Sequence, residues 1–477
     1  MRPGQSDRCT ASRTGVVLAA VMIITALAGM VAAGLLFRMR ASVAVSAAVD
    51  NGEQAYAAAM SGVTRAVEVV QEGISDMDFW YDNPDVFQNQ QVYDDGANVW
   101  YFSVYANDPL DPTKVRYGLS DEAGKVNICH ANEQELRGLT ILSEEMVDCL
   151  LDYRDSDYQR RQLGAEQEYY DDLPYPYLIR NSRMETVEEL LLVKNFDASV
   201  VYGEDVNLNG LLDPNENDGD ETFPVDDADG LLDLGVAGLT TVLSCEPSMT
   251  SQGEPRMSMN AEPQSMLDAG IPYDAVAFIV GYLSDGGSIP HASSLLGARH
   301  RLSKDCKLWD GTTLYADTVI ESRVSEEDLP LVMDLLDSGQ GGAKNMRYGQ
   351  INVNTARAEA LASVPEIDQA LAESIVTVRS GLDSRAKYTT AWLYTRGVLD
   401  ETTFRKVAPS LTAQSYQFRV RSIGFGVPCG RIRAMEAVID IATGETRLRY
   451  IRDLTHLGMP FAIDMDQLAD DEEEDRS

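Results

Sequence analysis

The chain has 477 residues, with 39 Lys+Arg against 76 Asp+Glu and a formal net charge of -37. That length supports several cores. That acidity repels phosphate backbones and speaks against nucleic acid as a partner, while suiting hard divalent cations, above all calcium. Residues 1–14 carry Arg2, Arg8 and Arg13 against Asp7, which puts this end in the cytoplasm. Gly15 to Phe37 is an uncharged apolar run; about 23 residues at about 1.5 Å each make about 34 Å of helix, enough to span a bilayer. Tyr56, Ala59, Met60, Val63, Ala66, Val67 and Val70 then recur at helical spacing, one apolar face of a continuing stem. No proline falls between Pro3 and Pro84. The reading is one long helix, 16–37 in lipid and 38–75 as a periplasmic stem against a folded domain.

Three processing patterns fit this start. Val31-Ala32-Ala33 or Val45-Ser46-Ala47 offers small residues for a cleaved secretory signal, and the run also serves as a plain anchor. In the third, a basic leader, 1–15, ends at Gly15 immediately before Val16, which resembles the prepilin-peptidase site of type IV pilins and pseudopilins. Cleavage there makes Ala20 the fifth residue, where most pilin-like proteins carry glutamate.

Asn98 to Ala106, rich in aromatic and β-branched residues, reads as a strand, and Val115 to Leu119 as a second. Gly124-Lys-Val-Asn-Ile-Cys-His-Ala131 then matches Gly349-Gln-Ile-Asn-Val-Asn-Thr-Ala356 at an offset of 225. The match continues through Leu136 with Leu361, Leu139 with Val364, Leu150-Leu151 with Ile375-Val376, and Arg154 with Arg379. Each copy leads a β-like run into two short amphipathic helices and resembles a helix-hairpin-helix unit. Such units often grip DNA through basic residues, but neither copy has a basic cluster, and the first ends in Asp152, Asp155 and Asp157. A packing module is the stronger reading.

The sharpest chemical signal is Asp205-Val-Asn207-Leu-Asn209-Gly210-Leu211-Leu-Asp213-Pro-Asn-Glu216. Side-chain oxygens stand at positions 1, 3, 5, 9 and 12, glycine at 6, and Leu211 offers a carbonyl at 7, which is the EF-hand ligand order for calcium. Pro214 argues against an exiting helix. Asp229-Gly230-Leu231-Leu232-Asp233 echoes the motif. Asp227 fits position 3, whereas Val225 and Val236 hold positions 1 and 12. A second ion is then completed from Asp218, Asp220 or Asp226. The acidic segment spans 203–235.

Asn181 to Val193 reads as a capped helix. Residues 261–345 alternate helical periods with Gly/Ser loops, among them Ser338 to Lys344. Phe418 to Ser422 alternates at period two, and Arg431–Ile441 and Glu445–Ile451 flank Ala442-Thr443-Gly444 as a hairpin. Asp470 to Asp475 is a charge run. Cys9 precedes the apolar run, and Cys129, Cys149, Cys245, Cys306 and Cys429 follow without a CxxC pair. One or two disulfides fit an oxidising compartment, with a thiol left over. Four histidines form no HExxH motif, no GxSxG or P-loop is present, and nothing selects a carboxylate pair, so the reading is non-enzymatic. Strands before and after the helices give an α+β fold. A small antiparallel sheet built from 76–120 and 415–464 carries the stem, a mainly helical domain, 121–414, is inserted in it, and 465–477 forms an acidic tail.

The chain resembles one family over nearly its whole length: general secretion pathway protein K, the minor pseudopilin of type II secretion systems. The resemblance rests on Gly15-Val16, on Asp121 to Asn127, and on Leu151-Asp152-Tyr153-Arg154-Asp155. It also rests on Gly164-Ala165-Glu166 through Tyr169-Tyr170, Glu188-Glu189-Leu190-Leu191, and Ile351 to Ala356. Lack of the fifth-position glutamate is usual in that family, so Ala20 agrees with it. The resemblance implies a pseudopilin fold with a large helical insert, bound Ca2+, and processing by prepilin peptidase. It also implies a single-pass inner-membrane anchor with the bulk periplasmic, and a place at the pseudopilus tip beside the I- and J-type minor pseudopilins. The rival functions are a periplasmic DNA-uptake protein, opposed by the charge, and a calcium-dependent envelope hydrolase.

Overall fold

The computed structural model describes residues 14–73, 76–108, 111–338 and 346–463. Most of the leader, Cys9, most of the Ser338–Lys344 loop and the acidic tail lie outside them. Helix α1 (Thr14–Gly73) runs for 60 residues. Its large apolar side chains from Val17 to Val49, Leu18, Ile24, Leu27 and Phe37 among them, stand exposed. From Ala55 on, one face is buried: Ala55, Ala58, Ala59, Val63, Ala66 and Val70.

That face lies on a sheet whose central path is β1 (Gln90–Asp94), β2 (Val99–Asn107), β3 (Gln417–Val427), β4 (Ile432–Asp440) and β5 (Arg447–Asp453). Every neighbouring pair on the path is antiparallel. Side chains alternate across a strand. Phe418 and Val420 of β3 join Phe102 and Val104 of β2, Ala437 and Ile439 of β4, and Val63, Ala66 and Val70 of α1 in one core. Trp80 closes its end, edge-on to Phe418 at 4.9 Å. Helix and sheet approach closely because small residues meet. A Cβ at Gly424 would overlap the Ala55 carbonyl, and one at Gly62 would overlap Ser422. Arg419 and Arg421, one step over on β3, face the other way.

Three local expectations change. Strand β1 is polar and its last four residues are exposed, so it carries no apolar alternation to read. The expected strand Val115–Leu119 shortens to Val115–Arg116, because Tyr117 N bonds the Asp82 carboxylate and Leu119 N bonds Trp80 O. The expected helix Asn181–Val193 is a 3-10 helix over Val187–Leu192 only. Asn181 has φ 44, and the Glu189 carboxylate accepts from Glu185 N, Thr186 N and Arg180, which closes the chain before a longer helix begins. All five described cysteines are free thiols.

Between β2 and β3 the chain builds a larger core, from Val126 to Leu411, around the internal repeat. The first copy holds α2 (Glu133–Gly138) and α3 (Glu144–Arg154), the second α4 (Ala358–Leu361) and α5 (Gln369–Ser380). Asn127 Oδ1 accepts from Cys129 N at 3.0 Å, and Asn352 Oδ1 from Asn354 N at 2.9 Å. Arg154 donates to the carbonyls of Ile128 and Ala131, and Arg379 to those of Val353 and Ala356, the same partners shifted by the offset. Helices α3 and α5 are capped by Ser143 and Asp368, again equivalent positions. Gly124 packs on Thr355 while Gly349 packs on His130, and Gly138 packs on Ser363, its own counterpart. Contacts that pair i with j and j with i mark a two-fold relation. The two copies therefore form a pseudo-dimer within one chain.

Candidate functional site

The sheet face opposite α1 carries charge, and charge joins it to the insert. Glu436 on β4, fully buried, accepts from Arg419 at 2.8 Å, Arg421 at 3.0 Å and Arg452 at 3.0 Å. Arg419 also reaches Glu122 at 2.7 Å, and Arg452 reaches Glu188 at 2.8 Å. Burial pushes the Glu122 carboxyl up, but the charges of Arg419 and then Lys125 outweigh it and hold the group down to about 2. Glu436 is likewise held far below the usual range, the three guanidiniums overcoming burial. The Glu122 and Glu436 carboxylates are fully buried, so removing an arginine partner strands a charge in a low dielectric.

Beside this network lies the acidic loop. Asp205 Oδ2 accepts from Gly210 N at 2.9 Å, Asn207 Oδ1 from Asn209 N at 2.9 Å, and Asn209 Oδ1 from Leu211 N at 2.7 Å. Glu216 closes the ring, accepting from Val206 N at 3.2 Å and Asp213 N at 3.1 Å. Gly210 sits at φ 73, a turn that side chains rarely adopt. Pro214–Glu216 is a 3-10 turn. The residues expected as ligands (Asp205, Asn207, Asn209, Leu211, Asp213 and Glu216) are thus gathered in one loop. Asn207 and Asn209 both turn their amides onto Asp213 Oδ2, at 2.7 and 2.9 Å. Burial pushes the Asp205 carboxyl up to about 6 against the pull of Arg421, and Glu216 up to about 7.

The echo of this loop repeats its bonds with different partners. Asp229 N donates to Asp227 Oδ1 and Leu231 N to Asp229 Oδ1, as in the first loop. Gly230 N goes to Asn217 Oδ1 at 3.0 Å, and Asp233 N to Glu204 Oε2 at 3.2 Å. Glu204 and Asn217, from before and after the first loop, therefore take the places that Val236 and Val225 leave empty. Asp226 accepts the amides of Asp218, Gly219 and Ala228, Asp218 accepts from Thr222, and Asp220 is exposed. Position-by-position reading missed Glu204 and Asn217 because neither lies at a loop position.

A further acidic group stands at the end of α3. Oxygens of Asp155, Asp157 and Glu166 lie within 4.8 Å of one another. Glu166 is 6 % exposed, and neither of its oxygens has a hydrogen-bond partner. Burial, then the charges of Asp152, Asp155 and Asp157, pushes its carboxyl up to about 7. Three converging carboxylate oxygens suit a hard cation. The sequence signal was a D-x-D pair followed by a glutamate behind Gly164-Ala165, a spacing outside the common loop motifs. Gly15 and Val16 lie in the first turn of α1.

A stem helix, half bare and half laid on an antiparallel sheet, carries a second body built into that sheet. Residues 133–202 match the family model described as "Type II secretion system (T2SS), protein K". The match contains the Leu151–Asp155 and Gly164–Tyr170 motifs. A comparison with curated proteins returned no match. Among solved structures, the chain is similar to one in the crystal structure of the GspK-GspI-GspJ complex from the enterotoxigenic Escherichia coli type 2 secretion system. Identity is 12 %, the alignment covers 87 % of this chain and 99 % of that one, and the TM-score is 0.40.

Proposed function

We propose that this chain is a minor pseudopilin of a type II secretion system, acting at the pseudopilus tip to initiate or cap assembly. The observation that carries the reading is helix α1. Its first half is bare and apolar, as a segment for lipid or a filament core requires, and its second half is buried on the sheet. The protein K match at 133–202 lies in the insert, on the body that this helix would anchor. The role is structural, without catalysis. Prepilin peptidase cleaves between Gly15 and Val16, the chain spans the inner membrane once, and the bulk is periplasmic. I- and J-type minor pseudopilins are the partners, and the insert blocks further subunits from stacking above. In this reading calcium is held by the acidic loop, through Asp205, Asn207, Asn209, Leu211, Asp213 and Glu216, which the chain gathers together.

Mass spectrometry of the mature, membrane-extracted protein tests it. A chain starting at Val16 is expected. One starting after Ala33 or Ala47 is an ordinary secreted product, and the pseudopilin reading then falls.

A further inference from the structure

The cleft between the sheet and the insert holds more positive charge than its carboxylates neutralise. Its volume is about 210 Å³, and Arg116, Lys125, Arg357, Arg419, Arg421 and Arg452 all line it. Four of these cations, Lys125, Arg419, Arg421 and Arg452, share three carboxylates, Glu122, Glu188 and Glu436. Lys125 is the loosest member, 3.7 Å from Glu122. The other carboxylates of the cleft wall are engaged elsewhere. Asp121 accepts from Ala123 N, Asn352 and Thr355, Asp205 accepts from Gly210 N, and Glu185 pairs with Arg180.

Arg116 and Arg357 are left without a carboxylate. Arg116 is 8 % exposed and sits opposite Ala106 of β2. Its guanidinium lies over the Tyr81 ring, 3.8 Å from the centroid, and donates to the carbonyls of Tyr81 and Leu119, while its Nε has no partner. Arg357 immediately precedes α4 and is half-buried; among the described residues it makes neither an ion pair nor a hydrogen bond. Burial lowers the pKa of both groups, and Tyr81 is a charge neighbour of both. Glu359 and Asp233 act on Arg357 too, but without contact. A guanidinium withdrawn from water without an anion is costly. This chain has 76 Asp+Glu for 39 Lys+Arg, so carboxylates to pair with these two arginines were not scarce.

We propose that the cleft is an anion site, in which Arg116 and Arg357 hold a small oxyanion of phosphate or sulfate shape, with Lys125 as the third cation. The planar guanidinium fork suits such oxygens, through paired charge-assisted hydrogen bonds. The cleft is smaller than the ~300–1,000 Å³ of sites for drug-sized ligands, which selects an ion of a few heavy atoms. Arg116 belongs to the sheet and Arg357 to the second repeat copy of the insert, so the anion ties the two bodies together. The site stands on the cleft alone and does not need the secretion role.

The test uses the full-length protein in detergent and chloride buffer, titrated with sodium sulfate at matched ionic strength by calorimetry. Wild type is expected to bind one sulfate saturably, and Arg357→Gln to bind it about tenfold or more weakly, as the loss of a charge-assisted pair implies. Arg396→Gln, at an exposed arginine outside the cleft, is expected to keep the wild-type affinity. In chloride alone, Arg357→Gln is expected to melt no lower than wild type, because its guanidinium has no partner to lose. Sulfate is then expected to raise the wild-type midpoint more than the variant's. Absence of saturable binding in the wild type overturns the site without any variant. Equal sulfate affinity in Arg357→Gln, or a midpoint well below wild type in chloride, overturns it as well.

Discussion

Arg379 ends α5 with its guanidinium buried on two carbonyls, Val353 O at 2.9 Å and Ala356 O at 2.5 Å. Removing it leaves both acceptors unpaired in a dry core, a loss of about 1–3 kcal/mol for each such group. Arg379→Met is therefore expected to destabilise the protein by about 2–4 kcal/mol, read as a lowered denaturation midpoint. Arg379→Lys keeps the charge but not the fork, and is expected to recover only part of that loss. A wild-type midpoint for Arg379→Met would remove this account. Sequence comparison could pair Arg154 with Arg379 through their shared offset, but not reveal their task. An arginine in the last turn of a helix reads as a charge facing the helix dipole, and the carbonyls it serves lie 23 and 26 residues earlier.

Among the elements, the stem face of α1 and strand β3 were legible from their apolar period, strand β2 from its aromatic and β-branched residues, and β4 and β5 as a hairpin. The polar edge strand β1 was not, because only one of its flanks is paired and its side chains face water. The 181–193 segment reads as a helix from its Glu and Leu content, yet its amides are captured by one glutamate before the helix can extend. The crossing of α1 over β3 depends on a missing side chain, which no periodicity reveals. Gly424→Val is expected to lift the helix from the sheet and cost about 1–3 kcal/mol or more, as overpacking does. Thermal unfolding of the full chain measures it. An unchanged midpoint would mean that the helix does not rest where Gly424 places it.

At the scale of the molecule, the insert and the sheet are held by buried charge, a relation invisible in sequence because Glu122 and Arg419 stand 297 positions apart. The second acidic loop was legible as an echo of the first, but its partners Glu204 and Asn217 were not, since they enter it from outside. The network sets a pH dependence. Glu122 titrates lower in the folded protein, about 2, than its ordinary 4.5. A depressed carboxylate adds stability that is present above the unfolded value and is lost as pH falls through the folded one. The stability gap between wild type and Glu122→Gln is thus expected to be widest above about pH 5 and to narrow steadily toward pH 2. A gap that stays constant across that range would show that the charge on Glu122 does not hold the two bodies together.

Helix α1 also has a mechanical meaning. Its 60 residues extend about 90 Å at about 1.5 Å per residue, and no proline breaks the backbone ladder along the way. The apolar end and the end seated on the sheet thus belong to one stiff rod. A push or pull along the rod reaches the sheet directly, and a small tilt at the bare end swings the sheet and everything docked on it through a much larger arc. The helix acts as a lever, and the insert is the load at its far end.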